Sequence, residues 1–184
     1  MVCQGDLRTI KYWNGDSIRL STDANPGSDT AAAYRMYAGV TSPEPTNAST
    51  GYYYNFLALT DPHSLCPSGW HASTAGDWQT LLDFIGGIDG AAPKLRAKDP
   101  FWSASVSDTL LKNNSAGLGL RPSGFADFAN SANGAGFGTQ GNWWIPEEFS
   151  PAEGRSFHLP SDSQNPQFAT QPKKTGLLVR CVKD

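Results

Sequence analysis

Charge is scarce in this chain of 184 residues. Asp, Glu, Lys and Arg make up 17% of it, and the formal net charge is −3. With no basic stripe, nucleic acid is excluded as a partner on electrostatic grounds, and the acidic excess is too small to form a tail. No apolar run reaches the ~18 residues that a membrane-spanning helix needs, and we recognise no signal peptide ahead of Cys3. Only three cysteines are present, none at a short spacing from another, so a cysteine-based metal site is not expected. The three histidines, His63, His71 and His158, show no metal-ligand spacing. The HExxH, GxSxG and phosphate-binding glycine motifs are missing as well, which argues against catalysis. No cofactor is expected.

Glycine (19), proline (13) and aromatic side chains (6 Trp, 6 Tyr, 9 Phe) are plentiful instead. That mixture suits short strands, long ordered loops and aromatic anchors better than a helical bundle. At this length a single domain over 1–184 is expected. Cys66 in CPSGWH and Cys181 in LLVRCVKD each sit in an apolar or aromatic run. They read as a disulfide between an early turn and the last strand, which requires an oxidising compartment. Cys3 is then the odd cysteine, read as an inert thiol ahead of intermolecular pairing or lipid attachment.

The best helix lies in WHASTAGDWQTLLDFIGG. Ser73 or Thr74 caps it, Trp78, Leu81, Leu82 and Ile85 recur at i, i+3, i+4 and i+7, and Gly86 with Gly87 stops it. YYYNFLAL at 52–59 is ambiguous between strand and helix, and we read it as a second short helix. STDANPGSDT and TSPEPTNAST read as exposed connections. Expected strands are 118–122, 141–144, 155–159 and 177–182. Within 155–159 the alternation places Arg155, Phe157 and Leu159 on one face and Ser156 and His158 on the other. If the first face is the core, Arg155 needs a buried acceptor. Segments 126–139, 145–154 and 160–174 read as long loops, a length that in a compact domain usually signals function.

The succession LRTIKYWNGDSI, GYYYNFLAL, CPSGWHASTAGDW, LGLRPSGF, GNWW and LLVRCVKD resembles, in order and spacing, the Fibrobacter succinogenes major paralogous domain. The likeness runs from about Leu7 to Asp184, with CPSGWH and VRCVKD its strongest signatures. MVCQGD stands where the family has its opening strands, so an incomplete amino terminus is expected. The resemblance implies an α+β, C-type lectin-like fold with short antiparallel strands, two short helices and long ordered loops. It also implies display on a bacterial cell surface or a virion. Some relatives are variable proteins of diversity-generating retroelements, which mutate adenines in asparagine codons near the carboxy terminus. Here 124–175 is the equivalent region. By the genetic code Phe128, Ser131, Pro146, Phe149, Ser156, His158 and Pro160 are reachable from such codons, whereas Glu148, Gln164 and Lys173 are not.

The expected function is therefore non-catalytic recognition of a protein or glycan target. Its contact residues are expected to be Phe128, Pro146, Glu148, Phe149, Ser156, His158, Pro160, Asp162 and Gln164, with aromatic anchors and adaptable polar groups much as in antibody loops. A core holding Trp70, Trp78, Trp143, Trp144 and Val179 would carry those loops. The alternatives are a structural adhesin or pilus-tip component, an oxidase like the formylglycine-generating enzymes, whose closely placed cysteine pair this chain lacks, and a calcium-dependent lectin. The Glu44, Pro45, Thr46 triplet superficially resembles a sugar-binding tripeptide but reads as a turn. Asn47 to Ser49 and Asn113 to Ser115 match glycosylation sequons. His71 beside Trp70 is expected to be a hydrogen-bonded structural residue.

Overall fold

The computed structural model describes residues 5–21, 31–36, 51–98, 101–102, 112–128 and 135–184. Cys3, Ser131, the Glu44 triplet, the Asn47 sequon and most of the two turn-rich stretches lie outside them. Among the described residues, four small sheets and three short helices make an α+β fold. In chain order, β1 (Arg19–Leu20), β2 (Ala33–Arg35) and β3 (Tyr53–Tyr54) form one sheet, in which β1 and β2 are parallel. Helix α1 (Phe56–Leu59) follows, then β4 (Trp70–Ala72), α2 (Ala75–Phe84) and α3 (Ala92–Leu95). After these come β5 (Ser123–Asp127), β6 (Ala135–Phe137), β7 (Gln140–Glu148), β8 (Glu153–Pro160), β9 (Gln167–Pro172), β10 (Thr175–Gly176) and β11 (Cys181–Lys183). Strands β10, β5 and β6 pair in that order, β11 pairs with β4, and β7, β8 and β9 form an antiparallel meander.

Helix α2 forms where its pattern predicts. Thr74 is the N-cap: its hydroxyl accepts from the Asp77 N–H, while the Asp77 carboxylate accepts from the Thr74 N–H, a reciprocal capping box. Trp78 and Leu82 point inward and Phe84 outward, and Gly86 ends the helix at φ +99°. YYYNFLAL divides between the two readings. Tyr53 and Tyr54 are strand, and Asn55 then caps α1 by accepting from the Ala58 N–H. The third helix was not expected because Pro93 sits inside it, in the first turn, where a missing N–H costs nothing.

Strand β7 organises the interior. Successive side chains of a strand face opposite ways, so Trp143 enters one apolar cluster, with Trp78, Leu82, Phe128, Phe157 and Leu159, while Trp144 enters another, with Tyr54, Phe56, Leu65 and Val179. Trp78 stacks on Phe157 at 4.0 Å between ring centroids, and Phe56 meets Trp144 edge-on. The terminal run repeats this division, with Leu178 in the first cluster and Leu177 and Val179 in the second. Trp70 is only half-buried, outside the core expected for it.

The two ends of the described chain are joined. Cys66 and Cys181 form a disulfide, with Cα atoms 5.8 Å apart across a separation of 115 residues. The Leu7 N–H donates to the Val179 carbonyl, and Asp6 is buried against Arg180 Nε (2.7 Å) and Trp143 Nε1 (2.8 Å).

Several expectations are corrected. Segments 145–154 and 160–174 contain strands: β7 runs to Glu148 and β8 starts at Glu153, while β9 occupies Gln167–Pro172 of the second segment. Periodicity concealed them, because β9 is an edge strand along which only Phe168 packs on the core, against Phe157. In β7 the register slips between Trp144 and Glu148, placing Pro146, which has no N–H to give, where the ladder is already broken. The strand expected at 118–122 begins at Ser123 instead, and Leu120 makes only an isolated bridge to Arg96. Gly124 within it has φ +66°, and a Cβ there would come within 2.2 Å of the Ala135 carbonyl oxygen. The run 177–182 is shared among three partners: Leu177 bridges Tyr54, Leu178 bridges Trp143, and β11 pairs with β4.

Candidate functional site

The β7–β8–β9 meander carries most of the residues expected at the site, and its geometry separates them. Glu148 pairs with Gly154 at one end and Gln140 with Pro160 at the other. Six residues of strand at about 3.3 Å each put these ends roughly 20 Å apart. Pro146, Glu148 and Phe149 belong to the first end. Pro160, Asp162 and Gln164 belong to the second, and His158 lies just inside it.

At the first end the hairpin closes tightly, as the N–H groups of Phe149 and Ser150 both donate to the Glu153 carbonyl. The Phe149 ring is 56% exposed, and the Arg155 guanidinium lies 5.7 Å from its centroid. Arg155 is also 3.7 Å from the Glu147 carboxylate, whose other oxygen accepts from the Ala75 N–H at the start of α2. Arg155 is thus near the surface and not in the core, because the strand has run past the edge of the apolar cluster that holds Phe157 and Leu159. Glu148 is exposed and pairs with Lys173 at 2.5 Å, and Lys173 also sits over the Phe56 ring. Pro146 is half-buried.

At the second end, Arg96 bolts the turn down from inside. Only 1% exposed, its Nη2 donates to the carbonyls of Pro160 and Ser163, and its guanidinium lies over the Trp102 ring. The Ala92 N–H donates to the Gln164 carbonyl, and the Gly90 N–H to the Asn165 side chain. Asp162 and Gln164 are exposed on this anchored turn. His158 Nδ1 lies 2.8 Å from Asn142 Oδ1, while Asn142 Nδ2 donates to the Gly124 carbonyl. Since that Oδ1 can only accept, Nδ1 carries the proton. Burial lowers the His158 pKa from 6.5, opposed by the Asp162 carboxylate, so the ring is neutral near pH 7 with Nε2 as its acceptor.

Three of the expected contact residues are corrected. Phe128 is fully buried, with the Arg35 guanidinium over its ring and Gly176 against its edge. Ser156 is fully buried in the middle of the meander. The Pro160 ring is buried too, and its contribution is a carbonyl to Arg96. Local polarity and codon arithmetic carry no information about which face of a strand is covered. Arg155, Glu147 and Lys173, absent from the expected set, surround Phe149. The available signal was the charge alternation flanking an aromatic in PEEFSPAEGR.

A second polar cluster gathers at the first turn of α2. His71 Nδ1 is 2.6 Å from Asp184 and its Nε2 is 3.0 Å from Asp77. Both ring nitrogens face carboxylates, so the imidazolium satisfies both, and the hydrogen bonds to Asp184 and then Asp77 raise the His71 pKa above 6.5. Burial alone would raise Asp77, but the bonds from Thr74 and His71 outweigh it and lower the pKa. Here the hydrogen-bonded role expected of His71 is seen.

Together these features define an α+β protein whose last strand is disulfide-bonded to an early turn, with an exposed aromatic hairpin tip at one end of the meander and an anchored polar turn at the other. The family model for the Fibrobacter succinogenes major domain matches residues 4–183, and the chain belongs to that family. No match was found among curated proteins or among solved structures. Among the described residues, no helix is long and apolar enough to cross a membrane.

Proposed function

We propose that this protein is a non-catalytic recognition module that binds a protein or glycan target outside the cytoplasm, with Phe149 as the anchor of its contact surface. The observation that carries this reading is the Phe149 ring, more than half exposed at a hairpin tip and stacked by Arg155. An aromatic held by a guanidinium, with Glu148 and Lys173 at the rim, is the composition of a binding hot spot. The polar turn bearing Asp162 and Gln164, with His158 beside it, is the second contact. A footprint reaching both ends of the meander fits a macromolecular partner, since standard interfaces bury about 800 Å² on each side.

The disulfide supports an extracellular, cell-surface or virion location. Family membership and the adjacency of the two terminal segments support a C-type lectin-like assignment. For retroelement diversification, Pro146, Phe149 and His158 are the surface-accessible codon-compatible positions among the described residues, whereas varying Phe128 or Ser156 would disturb the core. A neighbouring reverse transcriptase gene and a near-copy of the coding region differing at adenines would establish that origin; an intact locus without either would remove it.

The binding test is direct. Purified protein is screened on a glycan array and an array of extracellular proteins, and each hit is measured again with Phe149→Ala/Arg155→Ala and with Asp162→Ala/Gln164→Ala. A loss of tenfold or more in either variant, with unchanged circular dichroism, is expected. Hits indifferent to both variants, or no hits at all, would overturn the assignment.

A further inference from the structure

Phe84, the last residue of α2, is 87% exposed, more than any other large apolar side chain among the described residues. Two positions on from the buried Leu82, it lies about 200° round the helix and so faces away from the core. Ile88, exposed as well, follows it past the glycine stop. The stretch that carries both is held at either end. The Gly86 and Gly87 N–H groups donate to the Asp83 and Leu82 carbonyls, and Lys94 Nζ donates to the Ile85 carbonyl. Further on, the Gly90 N–H donates to Asn165 Oδ1 and Asn165 Nδ2 donates to Asp89 Oδ1, which joins the stretch to the anchored turn bearing Asp162 and Gln164. Phe84 and Ile88 are therefore continuous with the second contact described above, whose residues are otherwise polar.

The charge of this surface indicates the kind of partner it fits. Asp83 and Asp89 are exposed, and their hydrogen bonds come from the uncharged amides of Gln79 and Asn165. Asp162 adds a third exposed carboxylate on the adjoining turn. Two neighbouring cations are engaged within the chain: Lys94 at the Ile85 carbonyl, and Arg96, 1% exposed, at the carbonyls of Pro160 and Ser163. The carboxyl end of α2 also carries the negative pole of its backbone dipole. We propose that Phe84 and Ile88 are the apolar anchor of the second contact, and that its partner is a protein surface bearing basic side chains among apolar ones. This rests on the recognition role proposed above. The Phe84 ring meets an apolar hollow of the partner or lies against one of its guanidinium groups, while Asp83, Asp89 and Asp162 face its cations. Because the stretch is already tied down, docking costs it little conformational freedom.

The test uses the whole chain and needs no identified partner. Isotopically labelled protein is titrated with two probe peptides, acetyl-Arg-Leu-Arg-Leu-Arg-amide and acetyl-Glu-Leu-Glu-Leu-Glu-amide, and amide shifts are followed by NMR. The basic peptide should shift residues 83–90 and 162–165, and its affinity should fall about fivefold or more in Phe84→Ser, in Asp83→Asn/Asp89→Asn and in about 0.5 M sodium chloride. The acidic peptide should shift none of them. Both variants should fold, since Phe84 is exposed and asparagine keeps the acceptor that Gln79 and Asn165 use. No shifts in this stretch, equal shifts from the two peptides, or unchanged affinity in the variants would overturn the proposal. So would self-association that Phe84→Ser abolishes in sedimentation, which gives the surface to a second copy, or a glycan hit on the array that weakens in Phe84→Ser, which gives it to a sugar. The recognition role fails separately. Array hits that weaken with Phe149→Ala/Arg155→Ala but not with Phe84→Ser would remove the surface inferred here and leave that role standing, whereas an absence of hits, with the basic-peptide shifts still centred on Phe84, would remove the role and keep the surface.

Discussion

Removing the covalent tie should expose how much of the stability comes from restricting the unfolded chain. Cys66 and Cys181 are both buried, and the bridge closes a loop of 115 residues. Chain entropy alone gives about 5 kcal/mol for a loop of that length, and losses on removing native disulfides are typically about 2 to 5 kcal/mol. The folded structure should change little, since Cys181 already pairs with Ala72 across β4 and β11, and the Ser73 N–H holds the Arg180 carbonyl beside it. We therefore expect Cys66→Ala/Cys181→Ala to fold, and to unfold in urea at a midpoint about 1 to 2.5 M lower, taking a slope of about 2 kcal/mol per M. The slope itself should rise, because an unbridged unfolded chain exposes more surface. The parent protein, unfolded at equilibrium in reductant, should reproduce the variant's curve. A midpoint shift below about 0.3 M, with the parent shown to be oxidised by mass spectrometry, would refute the reasoning. So would a large shift in the variant that reductant fails to reproduce in the parent, because the loss would then lie in core packing.

Other outcomes follow from single side chains. Asp6→Ala leaves the buried Arg180 guanidinium and the Trp143 indole without their shared acceptor, so chemical denaturation should show a loss of about 3 to 5 kcal/mol. Phe128→Ala should cost about 3 to 5 kcal/mol in the same assay, while Phe149→Ala stays within about 0.5 kcal/mol of the parent; the reverse order would exchange their roles. Gly176→Ala should destabilise by about 1 to 3 kcal/mol, since its Cβ would fall 2.0 Å from Phe128 Cε2. His71 has its pKa raised in the folded state by Asp184 and Asp77, so its contribution to stability is fully present below about pH 6.5 and drains away as pH rises through the raised native value. His71→Gln should flatten that part of the stability profile, and a profile identical to the parent's would contradict the clamp.

Much of the scaffold is legible in local pattern. STAGDW encodes its own helix start, since Thr74 and Asp77 need only each other to form the capping box, and the apolar spacing that follows names the buried face. CPSGWH and LLVRCVKD announce the disulfide. The strands inside the expected loops at 145–154 and 160–174 were missed because β9 is an edge strand with one core contact, and because the β7 bulge at Pro146 interrupts the alternation. A third of the contact set proved to be buried for the same kind of reason. A serine or phenylalanine in a Gly-rich stretch looks the same in sequence whether the strand beside it is covered or not, and Ser156 and Phe128 prove to be covered. Asp6 gave no local hint of its role at all, since both of its partners lie more than a hundred residues away.

By itself, the sequence determined what short-range physics can enforce: the α2 cap and its buried face, the aromatic strand, the oxidisable cysteine pair and membership in a family. Tertiary structure alone decided that Trp143 and Trp144 serve two different cores, that Phe149 is presented while Phe128 is buried, and that the contact residues fall at two ends of one meander. The physical reason is that capping and periodicity act within a few residues, whereas burial depends on which distant segment happens to lie across each face.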